Sequence, residues 1–461
     1  MSLLKLSSEL LHEILLYAVH SRGVARAMRL SLVCKKFKIH LPRAVFESRI
    51  LDDHFTKGLY NALMPTQSWQ IRKDHGGVRF WHSYYVFRVR IETVQNGTDP
   101  RTGRYVEMRQ IATEFSRWTQ VSVEETIDAL CWLALEKWRD TFRKWDKKDV
   151  TSDFGLNLLS AAAYFDSMPL ARQLLAQGHD PTNDNDLFPS PMEIAAWAGN
   201  GDMLRLFQDS VPEFEYSQPR SSGDIRSWRG QVGPGSVKGA ALKGDIDMLK
   251  LAVSPASQSG PKFDSARRPI KKFRLKAIQR SALWATLRYC KTPETFEHII
   301  SLMGSRLFDK ESLLAHYAAL GNVNMVRHLL DAGAQWQGEN NCNPLQIAAH
   351  YSHEDVVDLL IDRGIDLGDS EGQARGTPLM AAASSGCMSL VRKFVDAGAR
   401  IAEDEELGIA IYLEHTEMAN YFMDLYSSHP KSWWRHLAAA EEDGLESMVD
   451  LLRARGVTLP P

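Results

Sequence analysis

What this sequence lacks narrows its function before any motif is considered. It has only five cysteines, Cys34, Cys131, Cys290, Cys342 and Cys387, odd in number, far apart and never in a C-x-x-C pair. Neither a disulfide framework nor a zinc module is indicated, and a reducing compartment fits. No uncharged apolar run of about 18 residues occurs, so length excludes a membrane-spanning helix. The apolar start of the chain is interrupted by Glu9, His12 and Glu13 and no small-residue cleavage site follows, so it reads as an amphipathic helix. Net charge is also scarce. With 55 Lys+Arg against 57 Asp+Glu the formal charge is -2, which argues against a chain built to bind nucleic acid. The expectation is a protein of the cytoplasm and/or the nucleus.

Catalytic signatures are missing as well. G-Q-V-G-P-G-S from Gly230 is rich in glycine but lacks the Gly-Lys-Ser/Thr ending of a phosphate loop. His350 and His353 are three residues apart, with the glutamate after them, which is not the H-E-x-x-H arrangement of a zinc protease. No G-x-S-x-G elbow is present. The chain is therefore expected to perform no catalysis and to carry neither metal nor cofactor.

What the sequence does contain is a repeat. P-M-E-I-A-A-W-A-G from Pro191, P-L-Q-I-A-A-H-Y-S from Pro344 and P-L-M-A-A-A-S-S-G from Pro378 share one frame, and weaker copies start at Leu158, Ser236 and Leu313. The alanines at the sixth place, Ala163, Ala196, Ala241, Ala318, Ala349 and Ala383, are separated by 33, 45, 77, 31 and 34 residues. The long step has room for a worn unit with a Phe296, Ile299 and Ile300 stripe, plus an insertion. Weak copies continue to Val457, giving about nine units. Small alanines let the first helix of each unit approach its neighbours, while Leu204 with Leu206, Val356 with Val357 and Leu390 with Val391 fill the space between units. Gly178, Gly333, Gly364, Gly398 and Gly456 fall where a second helix ends and suit a left-handed cap.

This pattern resembles the ankyrin repeat, over roughly residues 155–457, most closely from Leu313 to Ile401. The family's usual histidine is replaced by Glu193, Gln346 and Met380. The resemblance implies a solenoid whose first helices and finger loops hold a protein target. Tyr164, Trp197, His350, Tyr351 and Ser384 are the candidates on the helices, and Trp336, Asn340, Asp369 and Arg375 those in the fingers, because aromatics and arginine lead binding hot spots.

Ahead of the repeats, Leu10, Leu11, Ile14 and Leu15 lie at helical spacing behind an N-cap at Ser7 or Ser8. A polar break at His20 to Gly23 follows, then a second helix with Leu30, Val33, Cys34 and Phe37. With the V-C-K-K-F ending, residues 1–51 look like an F-box, matched at Leu6, Glu9, Leu10, Ile14, Leu30, Val33, Cys34, Lys35 and Phe37, with Ser7 where that family usually has proline. The resemblance implies docking on the adaptor subunit of a cullin-RING ubiquitin ligase through Leu6, Leu10, Ile14, Leu30, Val33, Cys34 and Phe37. Residues 1–50 hold nine Lys/Arg and three Asp/Glu, which favours an acidic partner surface.

Between the two parts, residues 52–150 carry six tryptophans (Trp69, Trp81, Trp118, Trp132, Trp138 and Trp145), expected as buried core of a helical connector. Ser122 with Glu125 forms a capping box, opening a helix expected from Val123 to Lys147. A basic stretch from Arg267 to Arg280, within an insertion near 255–280, reads either as a nuclear-import or acidic-ligand patch or as a solvated insertion. The expected fold is all-α: an F-box-like hairpin, an aromatic-rich helical connector and an ankyrin solenoid. The expected function is substrate recognition for an F-box-type ubiquitin ligase; the alternative is an ankyrin scaffold with no ligase link.

Overall fold

The computed structural model describes residues 6–51, 76–92, 100–141, 153–183, 187–211, 215–216, 228–229, 234–253, 283, 286–303, 309–335, 343–365, 377–401, 405–426 and 433–460. The chain divides into two compact units, Met1–Cys290 with Glu294–Met303, and Lys291–Pro293 with Gly304–Pro461.

The first unit opens with α1 (Ser8–Arg29) and α2 (Lys35–Glu47). Ser7 is the N-cap of α1, its hydroxyl accepting from the Leu10 amide at 3.4 Å. The backbone N–H groups at this helix start, then the Ser7 hydroxyl, hold the Glu9 carboxyl below its usual range. The expected break at His20 to Gly23 does not occur, and α1 is continuous to Arg29. Val19 and Ala27 are fully buried on either side of the polar stretch, and that burial outweighs the ~1 kcal/mol that one helical glycine costs. The second helix also starts later than expected. Leu30 belongs to a 3-10 turn (Leu30–Leu32), Val33 lies in the connection, and Cys34 is the N-cap of α2, its sulfur 3.5 Å from the Phe37 amide. Only Phe37 of that group is on a helix. Leu11, Leu15 and Val19 of α1 are buried, as are Phe37, Leu41, Ala44 and Val45 of α2 where the two helices pack together. A 2.6 Å contact between His12 and Glu47 joins the helices at their open end.

Among the described residues of the connector are three helices: α3 (Gly76–Ile91), α4 (Pro100–Trp118) and α5 (Val123–Thr141). The capping box is present, with the Glu125 amide donating to the Ser122 hydroxyl at 3.2 Å and the Ser122 amide donating to the Glu125 carboxylate at 3.3 Å. Trp81 is buried and Trp132 stacks flat on His82 with centroids 4.0 Å apart, whereas Trp118 is exposed. Trp69, Trp145 and the side chain of Trp138, like residues 142–152, lie outside the described residues. Phe46 at the end of α2 seats among Phe80, Tyr84 and Phe87 of α3, at 5.2, 5.4 and 5.6 Å. On the far side, α4 packs against α6 (Phe154–Tyr164), the first helix of the repeats, through Phe115 on Phe165 at 4.7 Å and Asn157 donating to Glu107 at 2.7 Å.

From there the chain runs in helix pairs: α6 with α7 (Met168–Ala176), α8 (Pro191–Ala198) with α9 (Gly201–Ser210), and α10 (Pro234–Lys243) with α11 (Ile246–Val253). A 3-10 turn (Leu287–Tyr289) precedes α12 (Pro293–Met303), in which Phe296 and Ile299 are buried. The second unit continues with α13 (Lys310–Leu320) and α14 (Val323–Asp331), α15 (Pro344–His350) and α16 (Glu354–Asp362), α17 (Pro378–Ser385) and α18 (Met388–Asp396). It closes with α19 (Glu405–Tyr412) and α20 (Thr416–Leu425), then α21 (Trp433–Glu442) and α22 (Glu446–Ala454). Within each unit the first helix of a pair packs on the first helix of the next, α6 on α8 on α10, and α13 on α15 on α17 on α19 on α21. All six alanines at the sixth place are fully buried. The expected Leu204–Leu206 pair is one register off: Met203 and Leu204 are buried and Leu206 is half-buried. Among the described residues the only strands form a two-residue antiparallel ladder, Glu215 opposite Arg229 and Tyr216 opposite Trp228.

Two left-handed positions frame the pairs. The first closes the first helix: Gly199, Gly244, Gly321, Gly386 and Gly444 have φ between 66° and 89°, and Asp166, Ser352 and Glu414 take the same place at 57°, 56° and 51°. The second closes the second helix at Gly178, Gly333, Gly364, Gly398 and Gly456, twelve residues further on in each case. A Cβ on Gly386 would meet nothing within 4 Å, so only backbone strain opposes a side chain there. Gly386→Ala is expected to lower stability by ~1 kcal/mol, read as a shifted denaturant midpoint with an unchanged slope; a variant as stable as the parent contradicts the left-handed backbone.

Candidate protein-binding surfaces

Two kinds of surface emerge from this frame. The first is on α1. Facing away from α2, Leu10, Ile14 and Tyr17 are 56%, 40% and 76% exposed, and Val33 and Ile39 nearby in sequence are 66% and 71% exposed. Spacings of four and three residues put Leu10, Ile14 and Tyr17 on one stripe, the pattern of a helix that lies in a partner's groove. Of the other residues expected to dock, Leu6, Leu30 and Cys34 are half-buried and Phe37 is buried against α1. Phe37 therefore holds the helix pair together and offers nothing to a partner. Tyr17 and Ile39, the two most exposed, were absent from the motif-based set because the motif does not contain them.

The second surface is the row of residues two places before each first left-handed position. Tyr164 and Trp197 stand there on adjacent helices, half-buried, with ring centroids 6.2 Å apart. In the second unit the row reads Ala319, His350, Ser384, Tyr412 and Glu442, with Ala319 buried, His350 and Ser384 exposed and Tyr412 at 69%. Tyr351 is half-buried beside His350, 5.1 Å between rings. The Ser384 hydroxyl donates its proton back to the Met380 carbonyl at 2.8 Å, so it can offer a partner only its acceptor lone pairs. Tyr412 was missed by the sequence reading because only weak copies of the frame follow Ala383. Trp336, Asn340, Asp369 and Arg375, the expected finger residues, lie outside the described residues, as does the basic stretch 267–280.

The residues that follow the row hold units to one another. Asn200 donates to the Ala163 carbonyl at 3.1 Å, Asn322 to that of Lys291 at 3.1 Å, and the His353 ring bonds that of Ala319 at 2.9 Å. His353 is thus a fastening between successive first helices, with its Nε2 occupied. Among the described residues no group of three His, Cys, Asp or Glu could hold a metal, and no helix is long and apolar enough to cross a membrane. Burial pushes the thiols of Cys290 and Cys131 up from their ordinary range, which keeps them protonated and poor nucleophiles.

No curated protein matches the chain in sequence, and no F-box family match covers the amino-terminal helices. One family model matches part of the run of helix pairs. That model, Ankyrin repeats (3 copies), matches residues 283–371, and those residues are ankyrin repeats.

Proposed function

We propose that this chain is a non-catalytic substrate receptor of an F-box-type cullin-RING ubiquitin ligase, working in the cytoplasm or nucleus. On this reading α1 docks on the adaptor subunit and the repeats hold a protein target, with Tyr164, Trp197, His350, Tyr351, Ser384 and Tyr412 as contact residues among those described. Ankyrin repeats support the second half, since such stacks act through protein–protein contact. The observation that carries the first half is the exposed stripe of Leu10, Ile14 and Tyr17. Fully covering a side chain of that size is worth roughly 1.5–3 kcal/mol, so a fold that leaves three in water on one helix face is built to have them covered.

Co-purification of the full chain with the adaptor subunit tests the reading. The parent should recover the adaptor, and Leu10→Ala with Val33→Ala should weaken recovery by at least about 30-fold. Both side chains are exposed, so the variant should melt as the parent does. If the parent recovers no adaptor, the second reading stands: an ankyrin scaffold in which the front helices extend the connector, a role that Phe46 on α3 already supports.

A further inference from the structure

The second unit is braced differently on its two sides. On one side the first helices α13, α15, α17, α19 and α21 pack directly on one another, with Leu345, Ala349, Leu379, Ala383 and Leu407 fully buried. On the other side the second helices approach one another less closely, and an ion pair bridges each step. Asp331 at the end of α14 meets Arg363 just beyond α16 at 2.9 Å, and Asp358 of α16 meets Lys393 of α18 at 2.6 Å. Arg392 of α18 then meets Glu417 of α20 at 2.7 Å, and Asp424 of α20 meets Arg455 just beyond α22 at 2.6 Å. In the middle helix, α18, the neighbouring Arg392 and Lys393 therefore reach to opposite sides. The Ser389 hydroxyl adds a bond to Glu354 of α16 at 2.5 Å, one helical turn before the Lys393 pair. Such a seam is no requirement of paired helices. In the first unit Arg205 and Lys250 pair with Asp202 and Asp247 of their own helices, α9 and α11.

We infer that the second unit flexes about its packed first helices, and that the ionic seam along its second helices sets the resting angle between successive pairs. The two sides answer to different conditions. Burial between first helices is not weakened by added salt. The seam side chains are a third to two-thirds exposed, so their pairs are individually weak and open to screening. Weak pairs add little to global stability, yet they bias a tilt that leaves the apolar contacts in place. Each opened step tilts one helix pair against the next and turns His350, Ser384 and Tyr412 through the same angle. Their spacing along the packed helices stays fixed. One chain thereby fits targets of different outline. This goes beyond the proposed receptor role and stands whether or not α1 docks on an adaptor.

The experiment is double electron–electron resonance on the full chain, with spin-labelled unnatural residues at Asn324 of α14 and Ser447 of α22. Both are exposed and each is the second residue of its helix; four steps of about 8–10 Å place them ~40 Å apart. Between about 50 and 500 mM salt the screening length falls from about 14 to about 4 Å, and the mean separation should shift by about 3 Å or more with a broader distribution. A reference pair at His350 of α15 and Glu442 of α21, on the first helices, should shift by less than about 1 Å. Arg392→Glu with Lys393→Glu should show the high-salt separation already at low salt and lose most of the salt response. Asp358→Lys alone should shift the separation in the same direction. Adding Lys393→Asp, which rebuilds that pair with its charges exchanged, should return the parent value. These side chains are a third or more exposed, so equal circular dichroism is the control. A parent separation independent of salt overturns the seam, and so does a charge-exchanged variant that behaves as Asp358→Lys does. Equal shifts in both label pairs overturn the packed first helices as the pivot.

Discussion

Gly239→Ala is expected to destabilise the first unit by ~3 kcal/mol or more, although on an isolated helix the same change would stabilise by up to ~1 kcal/mol. The reason is where α10 lies. A Cβ built on Gly239 would stand 2.2 Å from the Glu193 carbonyl oxygen, 3.0 Å from the Trp197 nitrogen and 3.1 Å from the Ala196 Cβ. The first two obstacles are backbone of α8, which cannot rotate away as a side chain would. The helices must separate, and Met192, Ile194, Ala196, Val237 and Ala240, all buried around this contact, would lose packing as they do. Overpacking usually costs 1–3 kcal/mol, and a rigid backbone obstacle belongs at the top of that range or above. Gly386→Ala is the comparison: it meets no atom and is expected to lose only ~1 kcal/mol. Denaturant unfolding of both variants checks the contrast. Equal losses would mean that α8 and α10 are not in backbone contact.

That contact marks the limit of what the sequence could say. The repeat was legible because its signals are local: a proline or small polar residue at a helix start, alanines at fixed places, a glycine where the chain must turn left. Pro191, Pro344 and Pro378 are the first residues of their helices, capped by Ser190, Asn343 and Thr377. The five predicted second-helix glycines all have positive φ. Gly239 itself could not be read, since its importance depends on an atom of a helix 46 residues away in sequence. The continuity of α1 through Gly23 was missed for a related reason: tertiary burial of Val19 and Ala27 overrides a local weakness.

The candidate site was legible in part. Leu10, Ile14 and Val33 were found by motif and are exposed, whereas Phe37, found the same way, is buried. A motif records which residues recur, without separating those that touch a partner from those that shape the helix pair. Tyr17 and Tyr412 required the solvent-facing geometry. In the repeats, Tyr164 and Trp197 come together because the frame puts equivalent places side by side, as the spacing implied.

Glu92→Leu is expected to cost 3–5 kcal/mol, and adding Arg88→Met should recover most of the loss. Arg88 and Glu92 are both fully buried, one helical turn apart at the end of α3, with Nη2 to Oε1 at 2.5 Å and Nε to Oε1 at 2.8 Å. The guanidinium also donates to the Tyr84 hydroxyl at 2.7 Å and lies 5.0 Å from the Tyr105 ring of α4. In sequence the pair looks like any exposed Arg-to-Glu spacing along a helix, worth a few tenths of a kcal/mol; burial changes its meaning. Removing the carboxylate leaves a buried cation whose desolvation is no longer offset. Removing both leaves two apolar side chains of similar length, with the Tyr84 hydroxyl losing one partner. Arg49, 3.6 Å from Glu92 but largely exposed, adds little. Urea unfolding of the single and double variants measures the difference, and a single variant within ~1 kcal/mol of the parent would show that water reaches the pair. The effect should extend to function. Phe46 seats on the same helix α3, and α4 in turn carries the first repeat. A connector loosened at Glu92 leaves the α1 stripe and the Tyr164–Trp197 pair, both in the first unit, chemically intact while loosening the helices between them.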